Sequence, residues 1–161
     1  MTINKKSVGE TIMVVKIVEK DEEFYKMQEL IDSIKKNRRV DEAGAIFTFE
    51  GFVRGKETGI EGEKIVSKMI LTTPDKEKAC EDLETICESV KIKYGVFEVA
   101  IVHFIGEFFT GDSLFLAAVL GPHRNETLDA LKEVIERTKF DINFKKEEIS
   151  NSGTKIIMAG G

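Results

Sequence analysis

Two largely apolar runs constrain this chain most: residues 97–104 (FEVAIVHF) and 113–120 (SLFLAAVL). Both are far shorter than a membrane span, and neither alternates as a half-exposed strand would. They bracket a turn at Gly111-Asp112. Strands apolar at nearly every position need cover on both faces, so the pair reads as the centre of a sheet.

The rest of the chain fits around that pair. Residues 11–18 (TIMVVKIV) are β-branched and read as a strand. Asp21 can cap a helix to about Lys36, with Phe24, Met27, Leu30, Ile31 and Ile34 at helical spacing. After a connector at 37–44, residues 45–54 (AIFTFEGFVR) alternate as a strand. Ile46, Thr48, Glu50, Phe52 and Arg54 share one face; Phe47, Phe49, Gly51 and Val53 share the other. Residues 55–63 (GKETGIEGE) are glycine-rich and charged, and are expected to be a mobile surface loop before a strand at 65–71. Pro74 opens a helix to about Lys93, facing inward through Ala79 or Cys80, Leu83, Ile86 or Cys87, and Val90, and stopped by Gly95. Asn125 caps a third helix over 126–139, with a stripe at Leu128, Leu131, Val134 and Ile135. Short strands at 142–149 and 155–158 close the chain. The order is β-α-β-β-α-β-β-α-β-β. Hairpins outnumber crossover helices, which predicts one α+β domain over 1–161 with a mostly antiparallel sheet.

Composition narrows the function. Lys and Arg number 24 against 29 Asp and Glu, a formal charge of −5. That balance argues against nucleic acid or an anionic membrane as partner. No apolar run approaches the roughly 20 residues of a membrane helix, and the polar first ten residues lack a signal-peptide core, so a cytoplasmic protein is expected. Cys80 and Cys87 lie seven apart on a predicted helix, roughly 10 Å of rise, too far for a disulfide. With two histidines in the chain there is no zinc set, and the residues call for no metal and no cofactor.

Four places break the simple pattern, and all are cationic. Gly121-Pro122-His123-Arg124 joins a buried strand to a helix N-terminus, where free N–H groups favour an anion. Arg54 ends a strand beside the glycine-rich loop. Lys139 continues an apolar helical stripe, four residues after Ile135, and a lysine there can snorkel, complement the helix C-terminus or enter a pocket. Lys145 and Lys146 point to opposite faces of one strand, so at most one joins a shared pocket. Spacing alone supports a pocket of Arg54, His123, Arg124 and lysines for a small anion such as a phosphate ester or carboxylate. Polar surface turns and solvated strand ends would account for the same residues.

The segments AGAIFTFEGFVRG (43–55), VAIVHFIGEFFTGD (99–112), GPHR (121–124) and KFDINFKKEE (139–148) together resemble the large, catalytic subunit of molybdopterin synthase. The shared pattern is a strand ending in V-R, an I-H-x-x-G then G-D hairpin, an H-R turn, and a lysine followed seven residues later by K-x-E. The likeness spans 14–158. It implies an α/β-hammerhead with a small added β subdomain, and an enzyme that builds the dithiolene of molybdopterin on a cyclic pyranopterin monophosphate. The sulfur donor it implies is a small ubiquitin-like subunit ending in a Gly-Gly thiocarboxylate, around a homodimer within a heterotetramer. Carried over by position, Phe52, Val53, Arg54, His123, Arg124, Lys139, Lys146, Glu147 and Glu148 contact substrate, with Lys139 and Lys146 catalytic. An ungapped alignment over 123–153 prefers Lys146 to Lys145. Where the family often has E-H-Y-P, this chain has Leu71-Thr72-Thr73-Pro74. A non-catalytic binding or scaffold homologue of the same fold is the alternative. The chain's own Gly160-Gly161 matches the partner's hallmark; chance or a flexible end accounts for it, and the sharper alternative is that this end visits a vacant tail site.

Overall fold

The computed structural model describes residues 15–158. Among these residues, eight strands and three helices follow one another. Strands β1 (Val15–Glu19), β2 (Ala45–Phe52), β3 (Lys56–Gly59) and β4 (Gly62–Thr72) precede β5 (Glu98–Phe108), β6 (Ser113–Gly121), β7 (Lys145–Ser150) and β8 (Gly153–Ile157). Helix α1 is Met27–Ile34, α2 is Lys76–Tyr94 and α3 is Arg124–Asp141. The sheet runs β2-β6-β5-β4-β7-β8, with β1 beside β5 and β3 beside β4. Only the β1–β5 pairing is parallel. This is the expected α+β class with a mostly antiparallel sheet.

Strand β5 is the hinge of the architecture. Residues 98–103 pair with β6, and residues 101–105 pair with β1. Beyond Ile105 the strand changes partner, and residues 106–108 pair with β4. Strands β3, β4, β7 and β8 thus form a smaller sheet grown from the end of the main one, the added β subdomain that the resemblance implies. Residues 98–105 and 115–121 are all buried. Helix α1 packs on β6 and β5, α2 on β1 and α3, and α3 on β6 and β2. Leu30, Ile34, Ala79, Leu83, Ile86, Cys87, Val90, Ala130, Leu131 and Val134 are the helical share of the core.

Three expectations need correction. Asp21 caps nothing: residues 20–22 turn, with Glu22 and Glu23 donating to the Glu19 carbonyl, and α1 begins six residues later. Phe24 is therefore 68% exposed rather than on a helix face. The glycine-rich loop is a hairpin, β3 against β4, closed by Ile60-Glu61 and by Gly62 at φ +108°. Glycine adopts that backbone without a Cβ clash. The third helix starts at Arg124 with His123 as N-cap, not at Glu126. Its buried face is Thr127, Ala130, Leu131, Val134 and Thr138, which leaves Leu128 exposed and Ile135 half-buried.

Helix α2 has the expected inward face and stop, but it opens at Lys76, so Pro74 precedes the N-cap instead of occupying the first turn. Asp75 accepts from the Lys78 N–H at its start, Gly95 ends it at φ +67°, and both cysteines remain free thiols. Of the strand expected at 11–18, the part before Val15 lies outside the described residues, as do Gly160 and Gly161.

Candidate functional site

Two cavities meet where the main sheet joins the smaller one. The first, about 330 Å³, lies between β2, β4, β5, β6, the end of α3 and the β7–β8 hairpin. Its walls are mostly apolar: Phe49, Leu71, Phe115, Phe144 and Ile157 among them. Lys139, Lys146 and His103 supply its nitrogen atoms. The second, about 560 Å³, is lined by Phe52, Val53, Arg54, Glu57, Lys146 and Glu148 with neighbouring residues. Met69, Leu114 and Lys146 line both, so Lys146 stands in the partition.

The alternation of β7 explains why. Lys146 and Glu148 face the cavities, while Lys145 turns to the other face and pairs with Glu147 at 3.0 Å. Geometry thus favours Lys146 over Lys145 as the pocket lysine. Burial holds the Lys146 ammonium below the ordinary lysine range. Glu148 opposes that effect, and the like charges of Lys139, Lys64 and Lys155 add to it. Lys139 itself is exposed, in the last turn of α3 beside buried Thr138, and reaches the first cavity from its rim. The desolvated lysine of the pair is Lys146, not the one on the helix stripe.

An ion-pair chain links Arg54, Glu57 and Glu148 of the second cavity's wall through Lys64. Lys64 Nζ lies 2.7 Å from Glu148 and 3.2 Å from Glu57, and Glu57 lies 3.2 Å from Arg54. The first of these bonds, to Glu148, pushes the Lys64 ammonium above its ordinary range. The β3–β4 hairpin is what brings Glu57 and Lys64 there.

His123 and Arg124 are elsewhere. They occupy the N-terminal end of α3, fifteen residues before Lys139, which at 1.5 Å per residue is about 22 Å along the helix. His123 is exposed and its Nδ1 sits 2.9 Å from Glu126. Neither residue lines either cavity. One chain alone does not assemble the single pocket that sequence spacing suggested. It gathers Phe52, Val53, Arg54, Lys139, Lys146 and Glu148, and leaves Glu147 on the reverse face.

Sequence reasoning missed most of the first cavity's apolar wall. Phe49 was legible as sharing the Val53 face of its strand, but nothing marked that face as a ligand wall. Leu71, where the family often has a polar residue, adds to that wall. Among the described residues, no group of three or more His, Cys, Asp and Glu side chains is placed to hold a metal ion. No helix among them is long and apolar enough to cross a membrane.

Comparison with known proteins agrees with this architecture. The molybdopterin synthase catalytic subunit of Neurospora crassa is 31% identical over 78% of this chain, a match spanning 57% of that protein's length. The subunit of the same name from Thermoplasma volcanium is 29% identical over 76% of this chain and 85% of its own length. A crystal structure of molybdopterin synthase from Staphylococcus aureus superposes with a TM-score of 0.69 at 26% identity, covering 89% of this chain and 96% of that one. The family model described as MoaE protein matches residues 21–141, well over half the chain. On that match, together with the fold and the twin-lysine cavity, this chain belongs to the MoaE protein family.

Proposed function

We propose that this chain is the catalytic subunit of a molybdopterin synthase, an enzyme of molybdenum cofactor biosynthesis and a sulfurtransferase. It takes sulfur from the thiocarboxylated Gly-Gly end of a small ubiquitin-like subunit and places it on cyclic pyranopterin monophosphate as a dithiolene. The observation that carries this reading is the pairing of Lys139 and Lys146 at one cavity, adjoining a second that holds Arg54. Both the thiocarboxylate and the substrate phosphate are anions, and a cavity of low dielectric strengthens their attraction to fixed ammonium and guanidinium groups.

Lys139, on the rim, meets the incoming tail. Lys146, in the partition, stabilises charge developing between tail and substrate, and its depressed pKa equips it to give up a proton. Arg54 holds the phosphate side, and Glu148 keeps Lys146 oriented. His123 and Arg124 join this machinery from a second copy of the chain, because about 22 Å of helix separates them from Lys139 in their own. A homodimer carrying one small subunit per chain follows.

The test mixes the protein with thiocarboxylated small subunit and cyclic pyranopterin monophosphate, and follows dithiolene product. Product that disappears in Lys139→Ala, with the melting curve unchanged, supports the reading. A folded, partner-bound parent protein that makes none refutes it in favour of a binding homologue.

A further inference from the structure

His103 stands on β5 directly opposite Phe115 of β6. Its ring lies between two aromatic rings, 5.2 Å from Phe115 and stacked on Phe144 at 4.4 Å and 29°. It is only 9% exposed, and it forms part of the wall of the 330 Å³ cavity. Its Nδ1 lies 3.0 Å from the Phe104 carbonyl oxygen. A carbonyl can only accept, so the proton of the neutral ring sits on Nδ1 and the lone pair is on Nε2. Among the described residues, Nε2 has no hydrogen-bond partner.

Burial pushes the His103 pKa down to about 4, and the bond to Phe104 only partly opposes it. The ring is therefore neutral around pH 7, with an acceptor and not a second donor at Nε2. The same wall holds Thr138, whose Oγ1 is buried without a partner. An acceptor with no protein partner on the wall of a cavity can take a donor from a molecule bound there. Phe49, Phe115 and Phe144 offer aromatic faces, and the volume is in the range of small-molecule sites. Such a chamber suits a flat heterocycle that brings its own N–H.

We propose that His103 is a specificity-determining residue that accepts, through Nε2, a hydrogen bond from a ring N–H or exocyclic amine of the pterin heterocycle. This rests on the molybdopterin synthase reading above. The heterocycle lies in the aromatic chamber, its phosphate side directed past Lys146 towards Arg54. An analogue without the N–H leaves the acceptor unpaired and is rejected, which is how a buried polar group discriminates.

The experiment uses the full chain with ¹⁵N-labelled histidine. The imidazole nitrogens are observed while cyclic pyranopterin monophosphate is added, with inorganic phosphate as the control. The expected result is a shift of the His103 Nε2 resonance towards the hydrogen-bonded form with the pyranopterin and not with phosphate. In turnover, His103→Phe keeps the aromatic stack but raises the KM for the pyranopterin about tenfold, with kcat within about twofold, as expected for one lost hydrogen bond. His103→Gln, which restores an acceptor, recovers most of that loss. An Nε2 signal indifferent to saturating pyranopterin, or one that moves only when the small subunit's tail is added, overturns the proposal, as does an unaltered KM in a folded His103→Phe. If the parent protein still makes product, only this inference falls. If the parent neither binds the pyranopterin nor makes product, the functional reading falls with it.

Discussion

Replacing Glu148 by Gln removes one negative charge from between two lysines and changes little else. The Glu148 side chain is 11% exposed and its Lys64 partner 32%, at 2.7 Å. The pair thus lies between a solvated ion pair, worth up to about 1 kcal/mol, and a buried one, whose disruption costs about 3–5 kcal/mol. Exposure of Lys64 pulls the cost towards the lower figure, so about 1–2 kcal/mol is expected. For a chain of this size that lowers the melting temperature by about 3–6 °C. The variant also withdraws the one charge that supports the Lys146 ammonium, so Lys146 must titrate at still lower pH. The sign for stability follows. Between the depressed folded pKa of Lys146 and its ordinary 10.5, the unfolded chain binds more protons, so native stability rises with pH through that window. Glu148→Gln widens it. Lys64→Met is the opposing control, because removing a like charge lets the Lys146 pKa rise. Melting curves from pH 6 to 11 and NMR titration of the Lys146 side chain read both effects. An unchanged melting temperature, or a Lys146 pKa that moves upward in Glu148→Gln, would refute this account of the partition.

Other outcomes can be checked alongside. Lys146→Ala should abolish dithiolene formation, whereas Lys145→Ala, on the reverse face, should keep turnover within about threefold, since exposed substitutions cost little. Arg124→Ala and Lys139→Ala should each be inactive alone, yet mixed and allowed to exchange subunits they should recover activity if the cavity is shared; no recovery from mixed dimers would argue for a site within one chain. Gly121→Ala should destabilise by about 1–3 kcal/mol, as overpacking does. A Cβ there would collide with Thr127 Oγ1 and touch Val96, so adding Thr127→Ala should return part of the loss in a chemical denaturation cycle.

What was legible in the sequence follows from how local each signal is. Strands β5 and β6 announce themselves because nearly every position of a doubly covered strand is apolar. Helix α2 carries its own punctuation, Pro74 just before its start and Gly95 at its stop. The β3 strand carries no such mark: all four of its residues are exposed, so no alternation distinguishes it from a loop. It forms because β4 offers a partner, a fact of pairing rather than of composition. The Lys139 stripe was read correctly at Leu131 and Val134 but one step late at its two ends, Leu128 and Lys139. The buried face runs through Thr127 and Thr138, polar residues that an apolar template skips. The site is harder still. The order and spacing of the motifs carried the family, but spacing along a helix separates His123 from Lys139 in space, and no residue pattern within one chain can report what a second chain supplies.

Lys146 standing in the partition has a thermodynamic consequence. One proton-binding group faces both chambers, so their occupancies cannot be independent. An anion arriving beside Arg54 favours the protonated ammonium, and that in turn strengthens the hold on the tail thiocarboxylate arriving at the Lys139 rim of the aromatic chamber. Reciprocity then requires the second occupant to tighten the first by the same factor. Coupling of this kind needs no moving loop and no change of fold; one titrating nitrogen shared by two compartments is enough.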